Sequence, residues 1–165
     1  MKVFQKNWTK GGIHGLKMNE FVDKKAPKIE GLDFSSNDFT IIYFYPKDNT
    51  PGCTLEAKDF TNLLPEFKKL KTIIYGISKD SDKSHTSFID KHKLKVNLLS
   101  DINHKIQEKY GVWRMKKFMG REFMGTVRTT FLVDKKGKIM NIWDNVKARG
   151  HVKSVLKYIS DLKSK

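Results

Sequence analysis

The residue of this sequence with the clearest capacity for chemistry is Cys53, its only cysteine. An apolar and aromatic run ends at Pro46, and a polar turn that includes Thr50 and Gly52 leads from there to the cysteine. This order predicts a strand, a turn and a helix that Cys53 opens. Unpaired backbone N–H groups and the helix dipole favour negative charge at a helix N-terminus, so Cys53 should hold more thiolate than a free cysteine.

The residues next to Cys53 suit a reactive thiol. Pro51 has no N–H and presets φ, Gly52 lets the backbone approach a ligand closely, and Thr50 offers a hydroxyl. A lone cysteine is, on the other hand, commonly an inert residue of the core. The longer sequence pattern around the cysteine favours the reactive thiol.

Residues 46–53 have the pattern Pro-x-x-x-Thr-x-x-Cys, and residues 43–57 read Tyr-Phe-Tyr-Pro-Lys-Asp-Asn-Thr-Pro-Gly-Cys-Thr-Leu-Glu-Ala. Together with residues 128–139 and 146–152, this run resembles the peroxiredoxins, in particular the Q-type branch, which is also called bacterioferritin comigratory protein. The order and spacing are similar to that family from about Phe21 to the C-terminus. We therefore expect an N-terminal extension over residues 1–20 and a peroxiredoxin domain over residues 21–165.

The resemblance implies a peroxidase site. Cys53 would be the peroxidatic nucleophile, and Thr50 would orient the peroxide. Arg128 would hold the thiolate and the peroxide oxygens, and Pro46 would shield the site from water. Such donors matter because negative charge moves from sulfur to the leaving oxygen in the transition state. Without this role, Arg128 would be an exposed cation at the head of a strongly apolar strand.

The resemblance also implies supporting residues. Glu56 follows Cys53 by one helical turn and would either fix Arg128 or cap that turn, whereas as an isolated feature it would be a surface carboxylate. Trp113 stands where the family has an aromatic side chain beside the pocket, and packing into the core is an equal alternative. Gly52 is the third of these supporting residues.

The sequence departs from the family at Lys58. Many Q-type members have a second, resolving cysteine at this position, five residues after the first. The chain is therefore similar to a one-cysteine variant, in which the sulfenic acid on Cys53 is reduced by an external thiol such as thioredoxin or glutathione with glutaredoxin. The resemblance implies a thiol-dependent peroxidase for hydrogen peroxide and organic hydroperoxides that needs no cofactor, and a monomer.

Two other cysteine chemistries are excluded by spacing. A thioredoxin-type oxidoreductase needs a second cysteine three residues after the first, where this chain has Glu56. A cysteine phosphatase needs an arginine six residues after its nucleophile, where this chain has Asp59. Neither reaction is therefore expected.

The charge of the chain allows a second hypothesis. The formal net charge is +15, yet only four of the 33 cationic residues are arginines, and the lysines are spread over almost every segment. A protein that reads nucleic acid usually concentrates cations on one face and uses arginine at base edges. The alternative to a peroxidase is a basic thioredoxin-fold protein that binds or protects nucleic acid, but we expect at most non-specific binding.

Composition limits the remaining classes. A length of 165 residues predicts one domain, and a single cysteine excludes an internal disulfide and a multi-cysteine metal site. No apolar run reaches the length of a membrane span. A reducing compartment is favoured, the cytoplasm first, with the nucleus or an organelle as alternatives. We expect no metal site, and surface or capping roles for the five histidines: His14, His85, His92, His104 and His151.

The elements that must position these residues can be predicted from apolar patterns and turn residues. Strands are expected over residues 39–45, 72–78, 96–100, 126–134 and 138–143, and helices over 53–70, 81–92, 101–110 and from 150 onwards. Pro65 should bend the first helix near residue 62. Residues 113–125 should form a basic, aromatic loop or an open hairpin arm. This order indicates an α/β protein with a thioredoxin-like fold and the strand–helix insertion of peroxiredoxins.

Overall fold

The computed structural model describes residues 18–165, so most of the predicted extension over residues 1–20, and His14 with it, lies outside the described residues. The strands are β1 (Phe39–Phe44), β2 (Thr72–Ser78), β3 (Asn97–Ser100), β4 (Trp113–Phe118), β5 (Arg121–Thr126), β6 (Thr129–Asp134) and β7 (Ile139–Trp143). The helices are α1 (Pro51–Asn62), α2 (Leu64–Lys69), α3 (Asp82–His92), α4 (Lys105–Lys109) and α5 (His151–Lys163). Two 3-10 turns, Met18–Phe21 and Phe34–Ser36, precede β1.

Five strands form one sheet in the order β3-β2-β1-β6-β7. The first three are parallel, and β6 and β7 are each antiparallel to the strand before them in the sheet. Strands β1, β2, β6 and β7 with helices α1, α3 and α5 make a thioredoxin-like arrangement, and β3 with α4 is the strand–helix insertion. The predicted fold class is therefore confirmed.

Strand β1 lies at the centre of the sheet, and both of its faces are covered. Ile41 and Tyr43 point into a cluster under the helices, whereas Ile42 and Phe44 point into a second cluster on the opposite face. Alternate residues of a strand face opposite sides, so a strand buried on both sides is apolar throughout. This explains the unbroken run that leads to the cysteine.

The first helix breaks where a bend was predicted. Helix α1 ends at Asn62, and Pro65 lies in the first turn of α2, where a missing N–H costs no hydrogen bond. At its other end α1 begins at Pro51 instead of Cys53, so the cysteine is its third residue. Cys53 therefore lies inside the first turn.

The predicted helix over residues 101–110 is wrong in length, because α4 covers only Lys105–Lys109. The Asp101 carboxylate accepts hydrogen bonds from the amides of Ile106 and Gln107, at 3.1 and 2.8 Å. His104 between them has a φ of 47°. The Asp101 side chain therefore caps the start of α4 from the preceding loop, and the helix does not begin at this residue.

The segment after α4 forms a separate antiparallel hairpin of β4 and β5, the second of the two predicted alternatives. Met119 and Gly120 at its tip both have positive φ, at 52° and 78°, as a two-residue hairpin turn requires. The predicted strand over residues 126–134 is wrong at its start, because β5 ends at Thr126 and β6 begins at Thr129. Arg128 lies in this break.

Within residues 18–165 no helix is both long and apolar enough to cross a membrane. The same part of the chain contains no group of three or more His, Cys, Asp or Glu side chains that could hold a metal ion.

Candidate active site

The end of β1 and the start of α1 place Cys53 at the centre of the site. Thr50 is the residue before the helix and has extended backbone angles, and Pro51 takes the first helical position. The first amides of a helix have no partner inside it, so those of Gly52 and Cys53 direct partial positive charge toward the thiol. The cysteine is a free thiol with 1% of its surface exposed.

Arg128 contacts two acidic groups at once. Its Nη2 donates to Cys53 Sγ at 3.3 Å, and its Nη1 donates to Glu56 Oε1 at 2.5 Å. The amide of Val146 donates to the Arg128 carbonyl at 3.0 Å and fixes the backbone in the break between β5 and β6. Of the two roles predicted for Glu56, the geometry matches the contact with Arg128, since the carboxylate is fully buried beside it.

Gly52 makes room for the guanidinium. A Cβ atom at this position would lie 3.1 Å from Arg128 Nη2 and 3.9 Å from the Ala148 side chain. The first distance is shorter than an ordinary van der Waals contact, so any larger side chain would push the guanidinium away from Cys53. The glycine thus serves the approach of Arg128.

Burial and charge act in opposite directions on this ion pair. Complete burial raises the pKa of Glu56 to about 7, although the charge and hydrogen bond of Arg128 favour the carboxylate. Partial burial also works against the charge on Arg128, but Glu56 and Cys53 outweigh it and raise its pKa above the usual value. Near pH 7 Arg128 is therefore a cation, and the pKa of Glu56 lies close to that pH.

His151 packs beside the ion pair of Arg128 and Glu56. The surface or capping role predicted for this histidine is wrong. Only 6% of its surface is exposed. Its Nε2 lies 2.7 Å from Thr130 Oγ1 and 4.0 Å from Glu56 Oε2. Burial, and then the Arg128 charge, lowers the pKa of His151 to about 4. The imidazole is therefore neutral, and its Nε2 shares a hydrogen bond with the Thr130 hydroxyl.

Thr50 and Pro46 lie in the loop between β1 and α1, and both are half-buried. Thr50 Oγ1 donates to the Lys47 carbonyl at 2.8 Å. Because its only proton is used there, this hydroxyl is left with lone pairs that accept a hydrogen bond. A hydroperoxide O–H is a suitable donor for them.

The sequence did not predict a buried polar network behind this loop. Asp48 accepts hydrogen bonds from Tyr45 Oη, Ser84 Oγ and His85 Nδ1 at 2.7, 2.8 and 2.8 Å. Its amide donates to the Asp80 carboxylate at 2.9 Å. The network ties the loop before Cys53 to the end of β2 and the start of α3.

His85 is charged in this network. Its Nδ1 faces the Asp48 carboxylate, and its Nε2 faces the Leu99 carbonyl at 3.1 Å, so both nitrogens must donate. Burial opposes the charge, but the bond to Asp48 outweighs it and raises the pKa of His85. The predicted surface role is wrong here too. His85 lies three residues before the buried Phe88 on one helical face, a spacing from which its burial was predictable.

Trp113 and Lys116 both lie on β4, the first strand of the hairpin. The Trp113 ring stacks on His104 at 4.1 Å between centroids, and Lys79 Nζ lies 5.7 Å above it. Lys116 Nζ donates to the Thr126 carbonyl at 2.9 Å. Burial and then the charge of Arg128 lower the pKa of Lys116, and Cys53 partly opposes this effect. The Lys116 ammonium therefore interacts electrostatically with both Arg128 and Cys53.

The arrangement favours attack by sulfur on an electrophile that accepts negative charge. A buried thiol at a helix start, an arginine that contacts the sulfur and a hydroxyl that accepts a hydrogen bond from the substrate suit a thiolate nucleophile. The thioredoxin-like fold and this site define an enzyme that acts through a single cysteine.

Comparisons with known proteins agree with that class. Residues 16–142 match the model of the AhpC/TSA family. The chain is 40% identical to peroxiredoxin Bcp of Bacillus subtilis over 153 residues, which cover 87% of this chain and 98% of the relative. It is 36% identical to peroxiredoxin Bcp of Escherichia coli K12, with 90% and 99% covered. A solved structure of the bacterioferritin comigratory protein of Xanthomonas campestris aligns with a TM-score of 0.73 at 38% identity, over 77% of this chain and 81% of that one.

The chain therefore belongs to the AhpC/TSA family, in its Q-type peroxiredoxin branch, as the sequence motifs predicted. Membership makes it a thiol-dependent peroxidase, which uses a peroxide and a thiol reductant. With one cysteine in the whole sequence, it is a one-cysteine variant of that branch.

Proposed function

We propose that Cys53 reduces hydrogen peroxide and organic hydroperoxides, and that an external thiol then restores it. The observation that carries this assignment is the contact of Arg128 Nη2 with Cys53 Sγ, with Glu56 on the other side of the guanidinium. A guanidinium in contact with the sulfur is already in place to stabilise the negative charge that develops on the leaving oxygen. The Xanthomonas campestris relative was studied for its alkyl peroxide reduction activity, which supports the substrate class.

In the first step, the Cys53 thiolate attacks the terminal oxygen of the peroxide in line with the O–O bond. A sulfur–oxygen bond forms, the O–O bond breaks, and the electron pair of that bond leaves on the second oxygen. That oxygen takes up a proton and departs as water or an alcohol, and Cys53 is left as the sulfenic acid. Arg128 donates to the oxygens, Thr50 accepts a hydrogen bond from the hydroperoxide O–H, whose proton stays on the oxygen that becomes the sulfenic acid, and Pro46 limits the entry of water.

In the second step, the thiolate of an external reductant attacks the Cys53 sulfur. A mixed disulfide forms, and the sulfenic oxygen leaves as water after taking a proton. A second thiolate breaks the mixed disulfide and releases Cys53 as its thiolate. Thioredoxin and glutathione with glutaredoxin are the candidate reductants.

The remaining assignments concern the setting of the reaction. We assign the protein to the cytoplasm, because a catalytic thiol without a disulfide partner works best where thiols are kept reduced. We also assign it as a monomer. Trp113 acts from the rim of the site, in stacking contact with His104. Binding of nucleic acid is limited to salt-sensitive, non-specific association of the lysine-rich surface.

The test is a peroxidase assay with hydrogen peroxide and with cumene hydroperoxide, each with dithiothreitol, thioredoxin or glutathione with glutaredoxin as the reductant. We expect turnover of both peroxides with dithiothreitol and with at least one biological thiol system. The Cys53→Ser variant is the control and should be inactive with all of them. Turnover that survives this substitution, or no turnover with any reductant, would contradict the assignment.

A further inference from the structure

A cationic groove lies beside the helix that carries Cys53. It has a volume of about 700 Å³ and passes between the end of α1, the start of α2 and the end of α3. Four lysines and a histidine line it, and no acidic side chain does: Lys58, His92, Lys68, Lys93 and Lys95. The polar side chains of Thr61 and Asn62 and the apolar ones of Leu64 and Pro65 complete the lining. Its volume is that of a cleft for a small ligand.

The charge of this groove is not neutralised by the protein. Among residues 18–165, none of the four lysines that line it has an acidic partner within ion-pair distance. The pKa of His92 is lowered by desolvation and then by the charges of Lys58 and Lys91. Cations that approach each other without a counter-ion form a site for an anion.

The shape of the groove is fixed by backbone contacts. The amide of Lys95 donates to Thr61 Oγ1 at 3.1 Å and joins the segment after α3 to α1. Lys93 ends α3 in the left-handed conformation, with a φ of 53°, so the chain turns sharply there. The groove is therefore formed before any ligand arrives, which reduces the entropy that binding costs.

The groove is also connected to the catalytic loop. His92 Nε2 lies 3.1 Å from Asn49 Oδ1, in the turn that leads to Cys53, and Lys58 is on the same helix as the cysteine. Because Cys53 is 1% exposed, a reductant reaches its sulfur only when the first turn of α1 opens. Five residues separate Cys53 from Lys58 on this helix, so opening of its first turn would expose the sulfur on the helix whose far end lines the groove.

We propose that this groove binds the low-molecular-weight thiol that reduces the Cys53 sulfenic acid, and that this thiol carries carboxylates, as the tripeptide glutathione does. The proposal rests on the proposed peroxidase function and names the class of its reductant. The lysines bind the two carboxylates, and the thiolate attacks the Cys53 sulfur once the first turn of α1 opens. The products are a mixed disulfide and water, and a second thiol releases the thiolate of Cys53.

Binding is tested without redox chemistry by titrating S-methylglutathione, which keeps both carboxylates and has no free thiol. We expect the pKa of His92, followed by NMR, to rise on binding, because the carboxylates favour the imidazolium. In a Lys58→Gln, Lys93→Gln, Lys95→Gln variant the affinity should fall by about tenfold or more. A matched control with the same loss of charge, Lys83→Gln, Lys105→Gln, Lys109→Gln, should bind as the wild type does.

Reactivity is tested on preformed Cys53 sulfenic acid. We expect the groove variant to slow reduction by glutathione by about tenfold. It should not slow reduction by glutathione diethyl ester, which lacks both carboxylates and keeps only the cationic amine, or by dithiothreitol. Equal slowing by the two triple variants would overturn the proposal, because net charge alone would then explain the rate. The proposal would also be overturned if an oligonucleotide displaced S-methylglutathione more strongly than glutathione does. Loss of turnover with dithiothreitol in the wild type would instead refute the peroxidase assignment.

Discussion

The guanidinium of Arg128 is shared by a nucleophile and a buried carboxylate. Glu56 is held on one side at 2.5 Å and Cys53 Sγ on the other at 3.3 Å, so the arginine has little freedom to rotate. A donor whose position is fixed before the reaction does not have to reorganise in the transition state. This preorganisation is the physical reason to expect large effects from single substitutions at the site.

Arg128→Ala and Thr50→Val should each slow oxidation of Cys53 by roughly 10²-fold or more, since loss of one preorganised group commonly costs about 2.7–4 kcal/mol of barrier. Rapid mixing with peroxide, followed by trapping of the sulfenic acid, measures this rate. Arg121→Ala, at an exposed position of the hairpin, is the control and should react as the wild type does. Rates within a few-fold of wild type in either site variant would show that its role is wrongly assigned.

His151 should make the protein sensitive to acid. Its pKa is about 4 in the folded protein, below the ordinary value of 6.5, so between these pH values the unfolded chain binds a proton that the folded protein does not. Stability from this residue is therefore present above pH 6.5 and is lost as the pH falls toward 4, by about 2–3 kcal/mol. Glu56, whose raised pKa is about 7, acts in the opposite direction over the same range.

A comparison of variants separates these two effects. The His151→Gln variant keeps a hydrogen-bond partner for the Thr130 hydroxyl and retains Glu56, so it should gain stability relative to the wild type as the pH falls from 7 to 4.5. Urea unfolding at both pH values measures the change. His104→Gln, at a half-exposed histidine, is the control. An equal pH dependence in wild type and His151→Gln would refute the assignment of a neutral, buried imidazole.

At the scale of the element, the loop before α1 is held by an ion pair that reaches a different helix. Asp48 and His85 are both buried, at 5% and 3% exposure, and are 37 residues apart in the chain. Removing one partner leaves the other charged and unpaired in the interior, which costs more than the pair contributes. The position of the loop with Thr50 therefore depends on the first turn of α3.

The coupling between these residues should depend on pH in a defined direction. Burial opposes the charge on Asp48, but bonds from His85, Tyr45 and Ser84 outweigh it and lower its pKa, whereas the pKa of His85 is raised above 6.5. The pair is therefore fully formed near pH 6 and is lost as the pH rises through the raised pKa of His85. A double-mutant cycle with Asp48→Asn and His85→Gln should give a coupling of about 1–3 kcal/mol at pH 6 and a smaller one at pH 9. The same coupling at both values would contradict the loss of the His85 charge between them.

The elements themselves were predictable where local patterns determine them. The apolar run predicted β1, and Pro65 predicted the break between α1 and α2, because both depend on residues close in sequence. The lengths of α4 and β6 and the burial of His151 were not predicted, because they depend on contacts made across the fold. The need for glycine at position 76 also depends on a contact across the fold, since a Cβ atom there would lie 2.6 Å from the Tyr43 ring of the neighbouring strand.

At the scale of the whole molecule, a single thiol determines the fate of the oxidised enzyme. The sequence contains no other cysteine, so the Cys53 sulfenic acid cannot close an internal disulfide. It must wait for an external thiol or for Cys53 of a second molecule. While it waits, a second peroxide can oxidise it to the sulfinic acid. Burial of Cys53 favours this second oxidation over pairing of two proteins, because peroxide is small and a second protein is not.

Excess peroxide in the absence of reductant should therefore give mainly a monomer that has gained two oxygen atoms, as mass spectrometry would show. The Lys58→Cys variant should divert part of this product to an internal disulfide and slow over-oxidation, because a second thiol on α1 competes with peroxide for the sulfenic acid. That disulfide requires the first turn of α1 to open, so its yield also reports whether the turn opens as reduction by an external thiol requires. A wild-type protein that accumulated mainly as a Cys53–Cys53 dimer, without sulfinic acid, would show instead that the sulfur is accessible to a second protein before peroxide returns.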